Sequence, residues 1–198
     1  MEIDLLLLLS ILAAYLLGSV SNAVLICRLF QFGDPRLHGS GNPGSTNVLR
    51  IGGKKAAFLT LLLDVGKGVI ATLLAIYLLR DTYVASFVGL AVVLGHVFPI
   101  FFRFQGGKGV ATAWGVILSL SPILGASLIV LWVVVAMLSR YASIASIAVT
   151  LASPLLFFLI GSEALLAISL IAAFVLYRHK ANISNLLKGQ ENTLALRR

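Results

Sequence analysis

Charge is scarce in this sequence. Seven acidic and fifteen basic residues leave only 11% of 198 positions charged. A soluble domain carries about 25%, so these side chains cannot coat a water-facing globule. The same shortage excludes a disordered chain, which needs polarity and charge. Cysteine is nearly absent too: Cys27 stands alone in an apolar run, which rules out an intramolecular disulfide and a thiolate zinc site. Histidines and carboxylates form no cluster with metal-ligand spacing, so the expectation is no metal and no cofactor. There is no Gly-x-Ser-x-Gly nucleophile elbow and no His-Glu-x-x-His. A His-x-x-x-x-Asp pair, as sought in soluble acyltransferases, is missing as well. The net charge of +8 invites a nucleic-acid reading, but no basic face carries interleaved aromatics, so nucleic acid is not a partner.

What the chain does have is hydrocarbon. Hydrophobic residues make up 60%, and the mean hydropathy is +1.05. This composition predicts an all-α integral membrane protein whose partner is membrane lipid. A spanning helix needs roughly 20 apolar residues. Apolar segments run over 5–29, 56–79, 84–102, 110–120, 123–138, 144–160 and 164–177. They predict about seven transmembrane helices in one polytopic domain over 1–198. Charge placement tests that count, because cytoplasmic loops collect Lys and Arg. With seven crossings, 13 of the 15 basic residues fall on one side and only Arg80 on the other, while Lys67 lies within a span. That bias predicts a periplasmic N-terminus and a cytoplasmic C-terminus.

The glycine-rich material lies on the predicted cytoplasmic side. The first loop contains Gly39, Ser40, Gly41, Asn42, Pro43, Gly44, Ser45, Thr46 and Asn47, with Arg50 close behind. Its glycines let backbone N–H groups converge, which suits a phosphate, and a guanidinium forks onto phosphate oxygens. A loop with a helix cap at Ser45, Thr46 or Asn47 is the plainer alternative. A second loop, Gly106-Gly107-Lys108-Gly109, opens an apolar helix, where free N–H groups favour an anion. It lacks the spacing of a nucleotide-binding P-loop. Asp64 and Lys67 share a helix face inside a span and can neutralise one another. His96 and His179, at the ends of spans, are candidate proton acceptors. Ser139-Arg140-Tyr141-Ala142-Ser143-Ile144-Ala145-Ser146 is a further polar patch, with Ser143 either a helix cap or a site residue. An ion-coupled transporter would also use Asp64 and Lys67. However, all the anion-friendly loops face one side, and no inverted pair of broken helices is evident.

Taken together, 39–47, Asp64-x-x-Lys67-Gly68, 95–112, Ser139-Arg140-Tyr141-x-Ser143 and Arg178-His179-x-x-Asn182-Ile183 resemble the bacterial acyl-phosphate-dependent glycerol-3-phosphate acyltransferases, the PlsY family. The resemblance runs in order through nearly the whole chain. It implies transfer of a fatty acyl group from acyl phosphate to the 1-hydroxyl of sn-glycerol 3-phosphate. The products are lysophosphatidic acid and phosphate, at the first step of phospholipid biosynthesis. It further implies a bacterial inner-membrane location, a cytoplasm-facing site, and a functional link to the enzyme that makes acyl phosphate. Carried onto this sequence, it implies roles in activity for Ser40, Arg50, His179 and Asn182, with Glu191 supporting the fold. It also implies a substrate phosphate on Gly106, Gly107, Lys108 and Gly109. Lys67, His96 and Ser143 join the expected catalytic set, and Gly39, Gly41, Asn42, Gly44, Thr46 and Asn47 the expected phosphate-binding set. Asn185 stands where many relatives carry a basic residue.

Overall fold

The computed structural model describes residues 2–194, and all of its regular structure is helical. Arg197 and Arg198, counted above with the basic tail, lie outside the described residues. Among the described residues nine α-helices follow in order: α1 (Glu2–Gly18), α2 (Asn22–Leu29), α3 (Ser45–Leu79), α4 (Thr82–Val97), α5 (Val110–Leu120), α6 (Pro122–Ser139), α7 (Ala142–Leu159), α8 (Leu165–Arg178) and α9 (Lys180–Leu187). A short 3₁₀ turn, Ile100–Phe102, sits between α4 and α5. Every apolar segment of the sequence is helical over most of its length, so the class expected from composition holds.

The span count is less uniform than seven similar segments. Five stretches are long and apolar enough to cross a membrane alone, with a sixth if α8 and α9, bent by 52°, form one crossing. The remaining segment, α5, has only 11 residues, about 16 Å at about 1.5 Å per residue. The first predicted span is broken between α1 and α2 at 19–21. The span expected from Ala56 starts at Ser45 instead, with a kink at Gly53, whose φ of 78° is open to glycine. Gly44, not Ser45, Thr46 or Asn47, takes the N-cap position of α3.

Two glycine contacts set the helix crossings. A Cβ on Gly18 of α1 would overlap the Val92 carbonyl of α4, and one on Gly95 would overlap the Tyr15 carbonyl in return. Gly68 of α3 and Gly115 of α5 are related the same way, through the Thr112 and Val65 carbonyls. In lipid, where apolar side chains gain nothing from leaving the solvent, helix association rests on such close backbone packing. The main apolar core runs through Val88, Val92, Val116, Leu128, Phe157 and Ile168. Pro154 lies inside α7 and has no N–H for the Thr150 carbonyl. The Ser153 hydroxyl donates to that carbonyl at 3.0 Å, which keeps it satisfied.

Candidate active site

Both glycine-rich loops, the first turns of α7 and the α8–α9 bend line one cavity of about 650 Å³. Each loop is held in shape by side chains that the cavity does not consume. In the first, Gly39 and Gly41 take left-handed φ values of 63° and 69°. The Asn47 amide ties the turn together: its Oδ1 accepts from the Ser40 N–H at 2.8 Å, and its Nδ2 donates to the Pro35 and His38 carbonyls at 2.9 Å each. Asn47 therefore lines the cavity with its amide already engaged, whereas Ser40, Asn42, Thr46 and Arg50 present their groups at the wall. Arg50 also reaches the Asn192 carbonyl at 3.4 Å.

The second loop packs against the end of α4. The Gly107 N–H donates to the His96 carbonyl at 3.1 Å. A Cβ on Gly106 would overlap the His96 and Val97 carbonyls, and one on Gly107 would overlap His96 Nε2. From the far side, Arg178 donates to the Gly106 carbonyl at 2.6 Å and to the Gly107 carbonyl at 3.2 Å. Gly109 is the N-cap of α5 with φ 89°, and its carbonyl accepts the first helical bond, from Ala113 N–H at 2.8 Å. The first-turn N–H groups of α5 have no acceptor within the helix, and Lys108 stands beside them at the cavity wall. Burial lowers the Lys108 pKa to about 8, with Arg50 and Arg178 pushing the same way and Glu191 opposing. Its ammonium is thus poised for an added anion.

His96, Asp64 and Lys67 form a buried network beneath the loops. Asp64 is 2% exposed and Lys67 4%. Lys67 Nζ lies 3.2 Å from Asp64 Oδ1 and donates to the Gly18 and Val20 carbonyls at 2.9 and 3.0 Å. Those carbonyls lie at the break between α1 and α2, where no helical N–H reaches them. The pairing of Asp64 with Lys67 expected from their spacing is present. Lys67 itself is absent from the cavity wall, its three N–H bonds matched by three acceptors, so it holds the helix break. Asn22 donates to Asp64 Oδ1 at 2.9 Å, and His96 Nδ1 is 3.6 Å from the same oxygen.

His179 is buried at the α8–α9 bend. Its Nδ1 is 2.7 Å from the Val175 carbonyl. A carbonyl only accepts, so Nδ1 carries the proton and Nε2 is left to accept one. Asn182 also lines the cavity, donating to Glu191 at 2.7 Å. Ser143 lines it as well, and the N-cap of α7 is Tyr141, so Ser143 is not spent as a cap. Apart from Lys67 and Gly107, every expected site residue thus meets at one cavity. The expected site set left out Asp64, Trp114, Trp132, Ser146 and Tyr177, which line its wall, and the clamp by Arg178. Asp64 carried a signal as an ionisable group within a span, Ser146 as part of the polar patch and Arg178 as the neighbour of His179, whereas the two tryptophans carried none.

Such a fold and site define a polytopic membrane protein with a cationic, glycine-lined cavity. Residues 8–189 match the family model for glycerol-3-phosphate acyltransferase, and the chain belongs to that family. A glycerol-3-phosphate acyltransferase of Neisseria meningitidis serogroup C is 50% identical over 192 residues, covering 93% of this chain and 96% of the relative. One from Shewanella loihica is 45% identical over 195 residues, covering 98% and 96%. Two crystal structures of PlsY, an integral membrane glycerol 3-phosphate acyltransferase, share 42% identity and cover 94% of each chain. The glycerol 3-phosphate form superposes with a TM-score of 0.90, the lysophosphatidic acid form with 0.88. The protein is an integral membrane acyltransferase of phospholipid biosynthesis.

Proposed function

We propose that the protein moves a fatty acyl group from acyl phosphate to the 1-hydroxyl of sn-glycerol 3-phosphate. The acceptor oxygen bonds to the acyl carbon, the bond from that carbon to the phosphate oxygen breaks, and the hydroxyl proton leaves with inorganic phosphate. One observation carries this reading: two glycine-rich loops, Arg50 and Lys108 all open onto one cavity. The reaction brings two phosphates together, one on each substrate. Lys108 and the Gly106–Gly109 backbone bind one, and the first loop with Arg50 binds the other. An acyl phosphate is a mixed anhydride with a good leaving group, so no strong nucleophile activation is required. His179 Nε2 is placed to take a proton, Asn182 positions a substrate hydroxyl, and Ser40 and Ser143 supply hydroxyl donors.

The donor is tested directly with purified protein in detergent. Acyl phosphate and glycerol 3-phosphate support turnover, and acyl-CoA or acyl carrier protein does not. Robust turnover with acyl-CoA, free of contaminating enzymes, would overturn the donor assignment. Acyl transfer in detergent, where no gradient exists, also excludes transport as the main role.

The one domain crosses the bacterial inner membrane seven times, with the N-terminus outside and the cavity facing the cytoplasm. The bias in loop charge supports this orientation. Ser162, in the turn between α7 and α8, and Ser40 then lie on opposite sides. Ser162→Cys labels with an impermeant thiol reagent in intact cells, and Ser40→Cys labels only after the membrane is opened. Labelling of both from one side would remove the seven-span arrangement.

A further inference from the structure

Two hydrogen-bonding groups at the cavity wall have no partner among the described residues: Trp114 Nε1 and Ser143 Oγ. Both residues are deeply buried, with Trp114 9% exposed and Ser143 5%. Leaving a buried donor unmade costs as much as losing a hydrogen bond, so each such group in a folded protein needs a reason. Thr72 and Thr112 also have unpartnered hydroxyls, but neither lines the cavity.

The surroundings fix Trp114 firmly. Its ring meets Trp132 edge to face, with centroids 5.7 Å apart and planes at 89°. The Trp132 N–H is engaged, donating to Ser146 Oγ at 3.0 Å. The two indoles are therefore unlike: one N–H is satisfied within the protein, the other is left for something in the cavity. Ser143 and Ser146 stand three residues apart on α7, so the hydroxyl face of that helix meets the tryptophan pair.

The chemistry of the acceptor follows from the neighbourhood. Phosphate charge belongs with Arg50 and Lys108. A neutral N–H and a neutral O–H suit a neutral oxygen that gains negative charge only in passing. Trp114 also walls a second, smaller pocket with Ile117, Leu128, Val149 and Ile171, so its ring marks where the polar cavity gives way to hydrocarbon. In an acyl phosphate the carbonyl is that same junction. We propose that the Trp114 indole N–H, together with the Ser143 hydroxyl, donates to the acyl carbonyl oxygen of donor and product. The inference rests on the acyl-transfer reading above. When the acceptor oxygen bonds to the acyl carbon, the carbonyl π pair moves onto the carbonyl oxygen. It returns as the bond to phosphate breaks, and donors already aimed at the oxygen favour the crossing.

Trp114→Phe keeps the ring and removes the donor. Its kcat falls about 100- to 1,000-fold, while the KM for glycerol 3-phosphate and the unfolding temperature stay at wild type. Benzothienylalanine at position 114 replaces the N–H by sulfur in a ring of nearly the same shape, and lowers kcat likewise. It covers the case in which phenylalanine disturbs the fold. Isotope-edited infrared spectra of bound lysophosphatidate show the ester carbonyl at higher wavenumber in either variant than in wild type. A kcat within about threefold of wild type in a folded variant, or an unmoved carbonyl band, overturns the assignment. If wild-type enzyme itself fails to use acyl phosphate, the acyl-transfer reading falls instead, and the two failures are distinct.

Discussion

Replacing Lys108 by alanine lowers kcat/KM by about 10- to 150-fold. A hydrogen bond to a charged group contributes about 1.5–3 kcal/mol, and about 1.4 kcal/mol is a factor of ten. The loss falls mainly on the KM of one phosphorylated substrate, because a phosphate anchor grips ground and transition states alike. Lys108→Arg restores part of the activity, since charge rather than proton transfer is what the loop needs. The pH profile gives a second handle. Burial lowers the lysine pKa to about 8, so in the free enzyme the ammonium is full below that pH and fades as pH rises through it. Substrate binding therefore weakens on the alkaline side in wild type, and that limb disappears in Lys108→Arg, whose guanidinium stays charged. Two-substrate kinetics across pH check both points. A fall in kcat with both KM values unchanged and no rescue by arginine would assign Lys108 to the transition state alone.

Lys67→Met destabilises the fold although Lys67 does not line the cavity. Methionine keeps the length of the side chain but leaves Asp64 uncompensated and strips the Gly18 and Val20 carbonyls of their donor. Removing one partner of a buried ion pair costs about 3–5 kcal/mol. Denaturation of the purified protein in detergent measures the loss. The double variant Asp64→Asn, Lys67→Met recovers part of it, because the stranded charge goes with its partner. If the single variant kept wild-type stability and lost only kcat, Lys67 would belong to the chemistry after all.

The helices were legible in the sequence because long apolar runs leave a membrane chain few alternatives. Their interruptions were not. The break at 19–21 falls at Gly18-Ser19-Val20-Ser21-Asn22, a short polar run inside a stretch read as one span, and Lys67, which satisfies its carbonyls, is nearly fifty positions away in sequence. The start of α3 at Ser45 was legible only as the alternative of a helix cap at Ser45, Thr46 or Asn47, because glycines and polar residues read equally as loop, and the cap itself falls on Gly44. The glycine motifs, the histidines and Asn182 stood out as polar groups in an apolar chain. Trp114 did not, since a tryptophan in a hydrophobic helix looks like core until its N–H is found without a partner. Arg178 acts through carbonyls of a loop about seventy residues earlier, a contact no local pattern announces.

The shortness of α5 reaches beyond packing. Hydrocarbon in a bilayer is about 30 Å thick, and an 11-residue helix covers only about half of that at about 1.5 Å per residue. Its far end joins α6 directly at Ser121, so α5 alone does not reach across such a layer. Between the 3₁₀ turn and α5 the chain folds back on α4, where Gly106 and Gly107 pack against His96. In the orientation proposed above, the loop that opens α5 then sits within the depth of the bilayer. A water-borne substrate would come down to this depth, and a lipid-borne one would meet it without lifting its tail out of the bilayer. On that proposal, two molecules from immiscible phases share one reaction plane.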